Sequence, residues 1–118
     1  ILLPVGTRMA GFSLDGYPSL GHRSGLYQIK DSRLPNQTGV LRGRQVRDAK
    51  PHELVITVRL SGEQARIETK LDGKTIHQWA GAPDKLELPR YDIEPGHLGF
   101  GTHKDDWTVS HAKVTRLP

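Results

Sequence analysis

The stretch that decides the fold runs from His52 to Ala80. It reads His52-Glu-Leu-Val-Ile-Thr-Val-Arg-Leu60, then Ser61-Gly62-Glu63, then Gln64-Ala-Arg-Ile-Glu-Thr-Lys-Leu71, then Asp72-Gly73, then Lys74-Thr-Ile-His-Gln-Trp-Ala80. Its period is two. Leu54, Ile56, Val58 and Leu60 fall on one face. Ala65, Ile67, Thr69 and Leu71 turn inward while Arg66, Glu68 and Lys70 turn outward. Successive side chains of a strand point to opposite faces, so clean alternation marks an antiparallel strand with one face buried and one wet. Ser61-Gly62-Glu63 supplies a turn. Asp72-Gly73 is the strongest two-residue hairpin signal, because both positions of such a turn need positive φ. These residues predict a three-stranded meander.

The rest of the chain extends the same class outward. Ile1-Leu2-Leu3-Pro4 reads as a strand entered partway, without an initiator Met, and predicts a fragment or a processed chain. Arg8 to Asp15 is a strand ending in an Asp15-Gly16 turn, and Gly25 to Lys30 is another. Asp31 to Gln37, rich in Pro, Asn and Ser, reads as loop, and Val40 to Arg42 as a brief pairing segment. Leu86 and Leu88 lie in a short segment stopped by Pro89, followed by turn-rich Tyr91 to Gly96. His97 to His103 alternates Leu98, Phe100 and Thr102 with Gly99 and Gly101. Trp107 to Leu117 reads as the closing strand, with a β-bulge near Ser110 and His111 restoring the register of Val109, Ala112 and Val114. The expected core is Leu14, Leu26, Ile29, Leu54, Ile56, Val58, Ile67, Leu71, Ile76, Trp79, Leu98, Phe100, Val109 and Val114. No segment of ten residues carries a helical period. The expectation is one all-β domain over residues 1–118, an antiparallel β-sandwich or jelly roll incomplete at its N-terminus, with companion strands supplied from elsewhere.

Composition narrows the function classes. The 118 residues include 13 Gly and 8 Pro, consistent with many turns, and no Cys. The missing Cys removes disulfides, thiolate metal sites and cysteine nucleophiles together. Seventeen Lys and Arg against 13 Asp and Glu give a net charge of +4, but the two signs are interleaved and aromatics are scarce. The densest basic run, Arg42-Gly-Arg-Gln-Val-Arg-Asp-Ala-Lys50, reads as a solvated loop in preference to a phosphate-binding arm. Nucleic acid is not an expected partner. No apolar run approaches the ~18 residues of a membrane-spanning helix.

Three segments together resemble a known family. Leu71-Asp-Gly-Lys-Thr-Ile-His-Gln-Trp79 is similar to a hairpin of concanavalin A-like jelly rolls of the laminin-G-like type. Leu98-Gly-Phe-Gly101 with Val109-Ser-His-Ala-Lys-Val-Thr-Arg-Leu117 resembles their closing strands. Leu14-Asp-Gly-Tyr17, Ser24-Gly-Leu26 and the Val40 to Arg44 segment resemble the version found in planctomycete proteins, related to 3-keto-disaccharide hydrolase-type domains of bacterial secreted proteins. The resemblance implies two antiparallel sheets, a carbohydrate ligand and an extracytoplasmic setting. It also implies strands before the position of Ile1.

Candidate sites follow from residue chemistry. A glycosidase dyad needs two carboxylates, about 5–5.5 Å apart in retaining enzymes. The nearest approach is Arg90-Tyr-Asp-Ile-Glu94, where Arg90 takes the place of the first acid and Pro89 and Pro95 break the strand. Glu68 has only Arg66 and Lys70 two residues away. No G-x-S-x-G elbow occurs. His97 and His103 share a face by parity but stand about 20 Å apart on an extended chain. His103, Asp105 and Asp106 offer ligands for calcium, against the alternative that the acids cap a turn. A sugar site needs an aromatic platform and a few converging polar groups. Trp107 opens the last strand beside polar residues and is the preferred platform, Tyr17, His22 and Arg23 are candidate hydrogen-bonding partners, and Trp79 is assigned to the core. Asn36-Gln37-Thr38 matches a glycosylation sequon. The expected function is a non-catalytic recognition module with a carbohydrate ligand. The alternatives are a 3-keto-disaccharide hydrolase-type enzyme, or an interaction module completed by another polypeptide's strands.

Overall fold

A computed structural model describes residues 1–30, 32–34, 37, 39–88, 96–102 and 106–117. Every regular element among them is a strand or a single 3-10 turn, so the chain is all-β, with antiparallel sheets.

The predicted three-stranded meander forms. β7 (Leu54–Ser61), β8 (Gln64–Leu71) and β9 (Lys74–Gly81) pair in sequence order, with Ser61 opposite Gln64 and Leu71 opposite Lys74. Gly62, Asp72 and Gly73 take φ of 60°, 50° and 81°, the left-handed values that two-residue turns require. The β8–β9 ladder slips by one residue: Thr69 faces His77, but Lys70 faces Thr75. Ile76 is thus an extra, unpaired residue, a β-bulge. Both Ile76 and Trp79 pack against the core even though their sequence parity differs.

A second sheet carries the order β1-β2-β3-β6, formed by β1 (Leu2–Val5), β2 (Arg8–Gly16), β3 (Arg23–Leu26) and β6 (Leu41–Arg42). The brief pairing expected of Val40 to Arg42 is the β3–β6 contact. β4 (Gln28–Ile29) and β5 (Ser32–Arg33) make a two-residue ladder of their own. The strand expected over Gly25 to Lys30 is therefore broken at Tyr27, and the expected Asp31–Gln37 loop contains β5. The Asp15-Gly16 pair is not a hairpin turn either. β2 runs through Gly16, bulges between Ser13 and Gly16, and reaches β3 through residues 17–22, which include the 3-10 turn Pro18–Leu20.

The two larger sheets share one core. Leu3, Val5, Ala10, Phe12 and Leu26 of the first meet Ala65 and Ile67 of the other, with Leu86 closing the end. Phe12 on β2 meets His77 on β9 edge to face, with ring centroids 5.8 Å apart. Leu14, Ile29, Ile56, Val58, Ile76 and Trp79 pack around this centre half-buried. Leu98, Phe100, Val109 and Val114 do not: all four are exposed, Val114 at 73%. Residues 106–117 belong to no strand, so the closing strand and its bulge near Ser110 and His111 are not formed. Alternation makes a segment able to pair, but pairing also needs a partner strand brought alongside, which a single segment's sequence does not specify. Among the described residues after Gly81, isolated bridges join Gly99 to Leu2 and Leu86 to Ile29. Among the described residues, no helix is long and apolar enough to cross a membrane.

Candidate functional site

The outward face of β7–β9 is largely polar, because alternation sends every second side chain away from the core. Two rows cross it. Arg59, Arg66 and Ala80 are register partners in one, and Thr57, Glu68 and Gln78 in the next. Together with Ile67 and Trp79 they line an open cleft of about 360 Å³. Glu68 organises the second row. Its Oε2 accepts from Gln78 Nε2 at 3.0 Å and from Thr75 Oγ1 at 3.3 Å, while Lys70 Nζ lies 3.7 Å from Oε1. The Gln78 hydrogen bond, then the Lys70 charge, holds the Glu68 carboxyl below its ordinary range, so it stays ionised. The Trp79 indole lies over Gly81, where a Cβ would come within 2.7 Å of Cζ2. Among the described residues, Glu68 is the one carboxylate lining the cleft. The arrangement presents hydrogen-bond donors and acceptors to a polar ligand, without the paired carboxylates of glycosidic hydrolysis.

The sequence singled out other residues, and the structure distributes them differently. Tyr17, His22 and Arg23 do come together, in the β2–β3 connection. Tyr17 has φ 53° and heads the 3-10 turn, and its carbonyl accepts from the His22 N–H at 3.2 Å. His22 Nδ1 lies 3.0 Å from the Asp15 carbonyl, and Arg23 Nη1 donates to the His22 carbonyl at 2.8 Å. These contacts tie the connection to itself. Below them sits Asp15, whose Asp15-Gly16 pair predicts a turn from sequence alone. Buried Asp15 accepts the backbone N–H of Gln45 at 2.7 Å and of Val46 at 2.8 Å, and its own N–H donates to Ser24 Oγ at 2.9 Å. Asp15 fastens the basic loop to the first sheet. Arg44 and Arg47 spend their Nε donors on the carbonyls of Val46 and Arg44, as suits a solvated loop.

Trp107 is exposed at 41%, on the strandless segment 106–117. It therefore does not open a strand as expected. His103 and Asp105 lie outside the described residues, as do Asn36 and Thr38 of the sequon and Arg90 to Glu94. Asp106 is exposed. Among the described residues no group of three His, Asp or Glu side chains is placed to hold a metal ion.

One charged cluster went unread in the sequence. His52 bridges two carboxylates, with Nδ1 2.6 Å from Asp72 Oδ2 and Nε2 2.7 Å from Asp48 Oδ1. Both nitrogens must be protonated to donate twice. The Asp72 hydrogen bond, then that of Asp48, raises the His52 pKa, and His52 in turn lowers both carboxyls. This clasp joins the β8–β9 turn to the segment entering β7. The cleft is hidden from the sequence for a different reason: parity puts Arg66 and Glu68 on the outward face, but nothing in one strand tells which outward residues its neighbours will stand beside.

Comparison with protein-family models, with curated proteins and with solved structures returns no match. The laminin-G-like likeness therefore rests on its own motifs.

Proposed function

We propose that the chain is a non-catalytic recognition module whose ligand is a carbohydrate, held on the outward face of β7–β9. The observation that carries the reading is the row Thr57, Glu68 and Gln78 beside Arg59 and Arg66 in one open cleft. Hydroxyl-rich ligands need donors and acceptors fixed by a rigid scaffold, and the Glu68–Gln78 hydrogen bond fixes both side chains in advance. The concanavalin A-like jelly roll implied by the motifs is the architecture that fits this use. A single cleft carboxylate favours binding over hydrolysis. The test is a glycan array probed with the intact chain, Gln78→Ala and Trp107→Ala. Binding lost in Gln78→Ala and kept in Trp107→Ala places the ligand on the sheet. Loss in Trp107→Ala alone moves it to the C-terminal segment, and no binding to any glycan removes the reading.

A second reading has its own observation. β7 is an edge strand whose Val55 and Leu60 are exposed, and Phe100, Val109 and Val114 are exposed as well. An edge strand with exposed apolar side chains suits strand addition by another polypeptide. A stable co-purifying protein, with no glycan bound, would favour this interaction module.

A further inference from the structure

Arg59 and Arg66 stand directly opposite each other across the β7–β8 ladder, with both residues exposed. Like charges in register repel. Arg23, Arg44 and Arg47 each give a guanidinium donor to a backbone carbonyl. No described hydrogen bond or ion pair engages Arg59 or Arg66. The nearest acid along β8, Glu68, is committed to Gln78, Thr75 and Lys70. The third member of their row is Ala80, opposite Arg66, whose single methyl leaves the cleft open on that side. A pair of free guanidinium groups at the mouth of a cleft is a receptor for a planar or tetrahedral anion, because each fork can donate twice to one oxyanion.

We propose that Arg59 and Arg66 form an anion subsite, so that the ligand of this face is an acidic saccharide, carboxylated or sulfated. The proposal rests on the carbohydrate reading above and names its ligand class. The two rows are two residues apart along each strand, about 6.7 Å, which spans one sugar ring. An anionic substituent on the arginine row thus leaves ring hydroxyls against Thr57, Glu68 and Gln78. Ionised Glu68 sets the polarity, since it repels an anion from the second row and accepts hydroxyl protons there.

The experiment is calorimetric titration of the intact chain with three oligosaccharides of matched length: one of uronic acids, one sulfated, one neutral. Arg59→Gln, Arg66→Gln and the double variant are compared with Arg47→Gln on the basic loop. The expected result is binding of at least one acidic oligosaccharide ten-fold or more tighter than the neutral one. Each cleft variant should lose about ten-fold, the double variant should fall to the neutral level, and Arg47→Gln should be unchanged. The affinity should also weaken as salt is raised. The carboxylated and sulfated arms tell which anion is taken. Neutral binding as tight as acidic binding overturns the proposal while the carbohydrate reading stands. Acidic binding that survives in the double variant, or falls equally in Arg47→Gln, overturns it in favour of diffuse charge. No binding by any of the three removes both. Relief of repulsion predicts that Arg59→Gln melts no lower than the parent chain, and a clear fall in Tm would make the pair structural and overturn the proposal.

Discussion

Asp15 shows how much one side chain decides in this chain. It holds φ of 54°, a left-handed value that Asp tolerates better than most residues. It is buried, and its two carboxylate oxygens take two backbone N–H groups from residues thirty positions onward. Charge-assisted hydrogen bonds of this kind contribute about 1.5–3 kcal/mol each, and their loss strands the donors. Asp15→Ala is expected to destabilise the chain by about 2–4 kcal/mol in urea unfolding and to release residues 43–47 to proteolysis. Asp15→Asn keeps one acceptor and the backbone preference, so it should lose roughly half as much. A loop equally resistant to protease in Asp15→Ala would show that other contacts hold it. The same pair, Asp15-Gly16, reads locally as a turn. Only the distant loop reveals its role, and adjacent sequence carries no sign of that.

Elements differ in how far local sequence determines them. β7 to β9 were legible because alternation, two glycine turns and neighbouring strands all point the same way over thirty residues. β1 and β2 hold most of the first sheet's core, yet Leu3, Val5, Ala10 and Phe12 escaped the expected list. Ala10 and Gly11 are both buried but too small to mark a face. Leu98, Phe100, Val109 and Val114 err in the other direction, being patterned like strand residues yet exposed. Of the candidate site, outward parity was readable at Arg66 and Glu68, but cross-strand partnership was not. The His52 clasp is likewise an inter-element feature, joining Asp48 before β7 to Asp72 after β8. Its imidazole should titrate above the ordinary value near 6.5. A raised pKa means that the clasp is complete below that value and is lost as pH rises through the native pKa. NMR titration checks this: Asp72→Asn should return the His52 pKa toward 6.5, with Asp48→Asn acting in the same direction but less. An unshifted His52 in Asp72→Asn would mean that the clasp does not form in solution.

On the scale of the whole molecule, the two sheets meet around a histidine that behaves in the opposite way. His77 is buried against Phe12, and a Cβ on Gly25 would stand 3.3 Å from its Cδ2 and Nε2. Among the described residues its Nδ1 has no hydrogen-bond partner, and neither has Oγ1 of Thr69, its register partner. Burial lowers the His77 pKa, because an imidazolium there would lose hydration and gain nothing. The native state thus keeps His77 neutral while the unfolded chain takes a proton below about pH 6.5. The unfolded state then binds more protons, so stability falls as pH drops from there toward the lowered native value. His52 weakens the fold on the alkaline side of the same point, and the lowered carboxyls of Asp48, Glu68 and Asp72 matter only near pH 4 and below. The sheet interface and the hairpin clasp therefore act on opposite limbs of the stability profile, His77 on the acid side and His52 on the alkaline side, where the Ile1 amino group, its pKa lowered by burial, acts against His52. Thermal melts between pH 4.5 and 8.5 test it through slopes: His77→Leu should flatten the acid limb and His52→Asn the alkaline limb. An acid limb unchanged in His77→Leu would mean that the imidazole is hydrated in the folded chain, and that the two sheets are not closed over it.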